Sequence, residues 1–210
     1  MIQTSFPVLS LIVFIPIVAA VIILLLKSEQ KDLVRGIAIS AAAVVFGLSL
    51  FVYLNYNAGV GELNEVQTQM LDESGSATAM FERSVAFEER VEWISSLGIA
   101  YHVGVDGLSA PMVLLTGMVA VTGVLISWRI DDRTREFMAF FLLLVAGVQG
   151  VFVALDLFVI FFFYELAIFP MYLLIATWGW VKLREYAAMK LTLYILIGSV
   201  IALVGVIAMY

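Results

Sequence analysis

Six long apolar segments dominate this sequence of 210 residues. A helix rises about 1.5 Å per residue, so about 20 apolar residues cross the roughly 30 Å hydrocarbon core of a membrane. The segments long enough to do so are residues 6–26, 36–54, 107–127, 137–155, 157–178 and 187–210. The sequence therefore predicts an all-α, polytopic membrane protein with six transmembrane helices.

Composition agrees with this class and excludes a soluble enzyme. Apolar residues make up 63% of the chain and charged residues 13%, against about 45–50% and about 25% in soluble domains. With no cysteine and one histidine, the chain is expected to hold no redox centre, no cofactor and no metal. The net charge of −6 argues against a nucleic-acid partner, and the apolar segments make the lipid bilayer a direct partner.

The positions of the basic residues predict the orientation, because Lys and Arg are retained on the cytoplasmic side of short loops. Nine of the eleven basic residues fall in the connections after the first, third and fifth helices or just beyond them, and only Arg83 and Arg90 lie on the other side. The nine are Lys27, Lys31, Arg35, Arg129, Arg133, Arg135, Lys182, Arg184 and Lys190. We expect a multi-pass protein of the cell inner (plasma) membrane with its N-terminus outside.

The chain divides into three regions. Residues 1–54 hold the first two helices, residues 55–105 form an acidic outside loop, and residues 106–210 hold the last four helices. The acidic side chains of the loop predict a solvated face, with a cation-collecting antechamber as the alternative. A Gly75-Ser76 turn and alternating stretches around Val85 and Phe87 indicate a short hairpin or helix packed on the outer surface.

Glu165 is the main candidate for chemistry. It lies about 13–14 Å from Asp156 along the fifth helix, which places it near the middle of the membrane. An ionisable side chain there costs at least about 2.5–3.5 kcal/mol on insertion scales, so it faces the protein interior or water and usually has a function. The alternative is a structural glutamate hydrogen-bonded to a neighbouring helix.

Lys190, near the start of the sixth helix, is the candidate partner of Glu165. The fifth and sixth helices run in opposite directions, and the axial gap between the two residues is about 9 Å. A lysine stem and one water would span that gap, and an approaching cation favours release of a proton from a buried carboxyl. The alternative is that Lys190 extends to the cytoplasmic surface. The pair is thus a candidate proton relay.

Four further residues are polar or break a helix near the predicted spans. Pro170 releases the carbonyl of Leu166, which suggests either a simple kink or a site for ordered water. Gln149 is expected to join two helices rather than to carry protons. Asp106 is expected to cap the third helix rather than to admit protons, and His102, just outside, is a weak candidate for titration.

Several long motifs now resemble a known family. They are GVDGLS at 104–109, REFMAFF at 135–141, GVQGVF at 147–152, ALDLF at 154–158, Glu165-Leu166 with PMYLLI at 170–175, and REYAAMK at 184–190. These motifs resemble the antiporter-like membrane subunits, of the chain M (subunit 4) type, of proton-translocating NADH:quinone oxidoreductase, or complex I. The resemblance covers most of residues 91–210.

The resemblance implies a role in proton translocation for Glu165 and matches Lys190 to the lysine at the family's entry to the sixth helix. It implies the first part of an antiporter-like inverted-repeat fold, whose main lysine lies on a broken seventh helix. The chain ends at Tyr210, so we expect a fragment or half of a split subunit. Flavin, iron–sulfur clusters and quinone are expected in partner subunits of complex I.

Three functions follow as hypotheses. The first is a proton-translocating subunit of NADH:quinone oxidoreductase, an enzyme of which this chain is one part. The second is a subunit of a multi-chain Na⁺/H⁺ antiporter or a membrane-bound hydrogenase. The third, from another class, is a passive membrane scaffold in which Glu165 is only structural.

Overall fold

The computed structural model describes residues 7–70, 85–94 and 99–209, with the backbone alone for residues 59–70 and Met209. These ranges hold six long helices, each long and apolar enough to cross a membrane. They are α1 (Val8–Leu25), α2 (Lys31–Met70), α3 (Ser109–Ile126), α4 (Thr134–Val153), α5 (Leu157–Trp178) and α6 (Arg184–Met209). A short 3₁₀ helix, Ser127–Arg129, extends α3. The six predicted membrane helices are confirmed.

The largest difference from the predicted bounds is in α2. This helix begins at Lys31 and continues to Met70, well into the region predicted as an outside loop. Its first turn carries Asp32, whose charge favours a helix N-terminus. Beyond Asn55 the sequence is polar but contains no proline and several strong helix formers, so the helix can continue after its apolar part ends.

The fold is mostly helical, as predicted, and part of the predicted outside loop forms a β-hairpin. Strands β1 (Ala86–Ile94) and β2 (Ile99–Val105) pair antiparallel. Both contain β-branched and aromatic residues, which pack well on a pleated surface. A hairpin, one of the two alternatives predicted for this region, is thus present, but its second strand is Ile99–Val105, and the predicted Gly75-Ser76 turn lies outside the described residues.

Two hydrogen bonds, one between backbone groups and one to a side-chain carboxylate, tie this hairpin to the start of α5. The N–H of Leu155 donates to the carbonyl of His102 at 2.9 Å, and the N–H of Ala100 donates to Asp156 Oδ2 at 3.4 Å. The other carboxylate oxygen of Asp156 accepts from the N–H groups of Phe158 and Val159 and so caps α5. The helix that carries Glu165 therefore begins at a point held by the hairpin.

Helices α1 to α5 enclose two apolar clusters, and α6 packs at their edge. One cluster joins the hairpin to the adjoining helix ends and includes Leu9, Phe87, Val103 and Val153. The other lies towards the opposite end of the bundle and includes Ile23, Val34, Val124 and Leu142. The buried side chains on α6 are Ala188 and Ser199 within the part of it that the structure describes, so most of its surface faces outward.

Candidate functional site

Glu165 lies in the half of α5 that is nearer the hairpin. It is eight residues from Leu157, or about 12 Å along the helix axis. The residue is partly buried, and its Oε1 atom is buried with no hydrogen-bond partner among the described residues. A buried acceptor left without a donor costs about 1–3 kcal/mol, and more when it is charged. Among the described acidic side chains, Glu165 is therefore the one with a buried oxygen that lacks a hydrogen-bond partner.

The contacts of α5 show which way Glu165 points. Gly147 and Gly150 of α4 pack against Ala167 and Phe163 of α5. These two α5 residues are each two positions from Glu165, or about 200° around the helix. Glu165 therefore points away from α4, and Gln149 on α4 lies on the opposite side of α5 from it.

A groove between α5 and α6 runs beside Glu165. It has a volume of about 510 Å³, and Phe161 and Tyr164 of α5 and Tyr194 and Ser199 of α6 line it. Phe161 lies one turn before Glu165 and Tyr164 is its neighbour in sequence. Glu165 therefore stands at the edge of a groove that is mainly apolar and carries a few hydroxyl groups.

Lys190 lies on the outward face of α6. It is exposed, and its Nζ lies 5.8 Å from the centre of the Tyr186 ring, which is close enough for a cation–π contact. It is about half a turn around the helix from the buried Ala188 and Ser199. Within the described residues the structure brings Lys190 and Glu165 into no ion pair, so their pairing stays a prediction.

Gln149 joins two helices, as the sequence suggested. Its side chain is 0% exposed, and Nε2 donates to the carbonyl of Val113 on α3 at 3.1 Å. Its Oε1 is buried and has no partner among the described residues. The predicted function of Gln149 as a link between helices is confirmed, with one acceptor left unused.

Asp106 and His102, the polar residues predicted outside the spans, each contact groups near them in the structure. Asp106 Oδ1 accepts from the N–H groups of Leu108 at 3.0 Å and Ser109 at 2.7 Å, which confirms the predicted cap at the start of α3. His102 Nε2 lies 2.6 Å from Glu88 Oε1 on the partly exposed hairpin. Across the described ranges, no group of three or more His, Asp or Glu side chains is arranged to hold a metal ion.

One residue that the sequence assigned to a solvated acidic face has a structural function instead. Glu89 is partly buried and accepts hydrogen bonds from the N–H groups of Leu9 and Ser10 at the start of α1. Ser10 Oγ also donates to Glu89 and lies 3.2 Å from the hydroxyl of Tyr101. The N-cap position of α1 is Pro7, which offers no side-chain acceptor, and this was a signal that an acceptor for the first N–H groups had to come from elsewhere.

Known proteins match the chain by sequence. The family described as NADH:quinone oxidoreductase/Mrp antiporter, TM, matches residues 154–210. The chain is 34% identical over 209 residues to NAD(P)H-quinone oxidoreductase chain 4 2 of Microcystis aeruginosa, which covers 100% of this chain and 34% of the relative. It is 31% identical over 205 residues to F(420)H(2) dehydrogenase subunit M of Methanosarcina mazei, covering 97% of this chain and 36% of the relative. The chain thus spans about a third of the length of these relatives.

The fold also matches solved structures of respiratory complexes. A chain of respiratory complex I from Thermus thermophilus superposes with a TM-score of 0.68 at 26% identity, over 91% of this chain and 33% of that one. A chain of an archaeal membrane-bound sulfane sulfur reductase superposes with a TM-score of 0.71 over 95% of this chain and 36% of that one. At 19% identity, the second likeness concerns the fold alone.

Proposed function

We propose that this chain is an antiporter-like membrane subunit of the complex I type and that it moves protons across the membrane, a proposal supported by its likeness to chain 4 of NAD(P)H-quinone oxidoreductases and to a chain of respiratory complex I. Glu165 is the group that holds the proton inside the membrane. The observation that carries this assignment is the buried, unpartnered Oε1 atom of Glu165 in the middle of a transmembrane helix.

The chemistry follows from this environment. A donor or a cation that approaches a carboxyl favours release of its proton, and withdrawal of that group favours uptake. Glu165 therefore changes between a proton-bound and a proton-free form, depending on whether a donor or a cation approaches the side of α5 that points away from α4.

Lys190 is the second charged group of the proposed relay. Its side chain is long, exposed and free of ion pairs among the described residues, so it can change position at low cost. Because it lies on the outward face of α6, it reaches Glu165 through water or after a movement of α6 rather than by direct contact. The force for that movement comes from partner subunits.

The energy source also lies in partner subunits of the membrane. The chain offers neither cysteine nor more than one histidine for metal or cluster ligation, so we assign NADH oxidation, flavin, iron–sulfur clusters and quinone to other chains of a complex I. Coupling to Glu165 is then conformational or electrostatic. The proposed location is the cell inner (plasma) membrane, with the hairpin on the outer side.

A second function is favoured by one specific observation. The family that matches residues 154–210 is described as including Mrp antiporters as well as NADH:quinone oxidoreductases. The same relay then exchanges protons for sodium ions in a multi-chain antiporter. A requirement for Na⁺ in the transport measured below would favour this function over redox-driven proton translocation.

The decisive experiment is Glu165→Gln in the complete complex, incorporated into sealed vesicles. We expect proton uptake driven by NADH to fall at least tenfold while the subunit composition remains intact, because Gln keeps the shape but cannot exchange a proton. The matched control is Glu185→Gln, which changes an exposed carboxylate in the first turn of α6 and should leave transport unchanged. Normal pumping by the assembled Glu165→Gln complex would identify a passive scaffold instead.

A further inference from the structure

We propose that Trp93, Phe158 and Phe162 form an aromatic barrier that separates Glu165 from the water on the hairpin side of the membrane. The proposal deepens the proposed function and rests on it, since a barrier of this kind matters for a residue that carries protons. It assigns a function to Trp93, which lies on the hairpin and outside the six membrane helices.

The three rings are in direct contact. The centre of the Trp93 ring lies 6.1 Å from that of Phe158 and 5.8 Å from that of Phe162, with interplanar angles of 70° and 84°. These edge-to-face arrangements are favourable for aromatic pairs. The indole of the hairpin therefore lies against the first two turns of α5.

These turns lead to Glu165 along one face of the helix. Phe162 precedes Glu165 by three residues and Phe158 precedes it by seven, spacings that place side chains on the same face. Along the axis they lie about 4.5 Å and about 10.5 Å from Glu165. The rings thus occupy the stretch of this face between Glu165 and the hairpin end of the helix.

A β-bulge sets the direction of Trp93. Glu92 is opposite Ala100 and Ile94 is opposite Ile99, so two steps on β1 match one step on β2 and Trp93 is the extra residue. A bulge bends its strand and redirects a side chain. Since the neighbouring Ala100 donates to Asp156 at the cap of α5, the bulge is held beside the rings that Trp93 contacts.

The consequence for Glu165 is control of access. Aromatic carbon offers water few hydrogen-bond partners, and hydrophobic constrictions close pathways by excluding water. A mid-membrane carboxyl in free contact with one aqueous side would exchange protons with that side at all times, and the proton gradient would leak. With the barrier in place, Glu165 exchanges protons with the hairpin side only when the rings separate. Exchange with the opposite side of the membrane does not depend on the rings.

The experiment measures how accessible Glu165 is, independently of transport. The complete complex in sealed vesicles, with the hairpin side facing the medium, is treated with a water-soluble carbodiimide and an amine, and label on Glu165 is quantified by peptide mass spectrometry. We expect Trp93→Ala to raise the labelling of Glu165 at least fivefold, and Trp93→Phe, which keeps a ring, to remain near wild type. Val91→Ala, two positions away on β1 and 63% exposed, is the control and should have no effect.

A second pair of variants covers the case in which Trp93→Ala prevents assembly. Phe162→Ala removes a barrier ring, 44% exposed, before Glu165 and should raise labelling, whereas Phe169→Ala removes a ring, 60% exposed, one turn beyond Glu165 and should not. Equal labelling of Glu165 in wild type, Trp93→Ala and Phe162→Ala would overturn the barrier, as would an equal rise in both control variants. If Glu165→Gln pumps normally while labelling rises as expected, the proposed function fails and the barrier stands.

Discussion

The carboxylate of Glu89 in β1 caps the start of α1 from a distance of 80 residues in the sequence, since it accepts the N–H of Leu9 at 2.9 Å. It also accepts the N–H of Ser10 at 3.3 Å and the hydroxyl of the same serine. A negative charge at a helix N-terminus, with two backbone donors satisfied, stabilises the helix. This contact therefore holds the hairpin on α1 while Asp156 holds it on α5.

We expect Glu89→Ala to destabilise the attachment of the hairpin by about 1–2 kcal/mol, because it leaves two N–H groups of α1 without their acceptor. Hydrogen exchange of the hairpin amides in the purified complex measures the effect as faster exchange. The matched control is Glu88→Ala, which removes the neighbouring carboxylate from its partly exposed pair with His102 and should change exchange much less. Equal effects of the two substitutions would contradict the cap.

Alkaline pH should weaken the same contact through Tyr101. Burial raises the pKa of Tyr101 above its ordinary value of 10.0; the hydrogen bond with Ser10 lowers it in part, and the charge of Glu89 raises it again. The folded state thus favours the neutral phenol, so its contribution is complete below about pH 10 and is lost as the pH rises towards the folded pKa. Thermal unfolding between pH 9 and pH 11 should show a fall in midpoint that is smaller in Tyr101→Phe. An identical fall in both proteins would argue against this origin.

The close contact between α4 and α5 predicts that Gly147→Ala is costly. A Cβ at this position would lie 2.8 Å from the Cβ of Ala167 and 3.0 Å from its backbone, which cannot move aside as a side chain can. We expect a loss of about 1–3 kcal/mol in unfolding free energy in detergent. Gly198→Ala on α6, where nothing lies within 4 Å, should be neutral or stabilising by up to about 1 kcal/mol. A neutral Gly147→Ala would mean that the two helices separate easily.

Gln149 allows a test of whether its buried amide is needed. Replacement by Met removes the bond to Val113 but also removes the unpartnered Oε1, so we expect a change within about 1 kcal/mol. Gln149→Glu buries a carboxyl at the same place and should cost several kcal/mol. Unfolding of the purified complex in detergent compares the two. If Met proves as damaging as Glu, the polar group has a function beyond packing.

The length and apolar composition of the six segments were sufficient to predict the membrane-spanning helices, though not the end of α2. Each span is identified by its own length and composition, because the membrane imposes the same thickness on every helix. For the same reason Glu165 stood out from the sequence as the ionisable residue in the middle of a span. The cap at Asp106 was also predictable, since a cap depends on residues within a few positions of one another.

What the sequence could not determine were the relations between distant residues. Nothing local distinguishes Glu89 from the other acids of its region, and only the packing of the hairpin on α1 makes it a cap. The direction of Glu165, away from α4, depends on which residues of α5 meet Gly147 and Gly150. The same is true of the contact of Trp93 with Phe158 and Phe162. Local pattern thus determined the helices and the candidate acid, whereas tertiary packing decided the neighbours of that acid, because helix rotation and hairpin register are set by contacts between segments far apart in the chain.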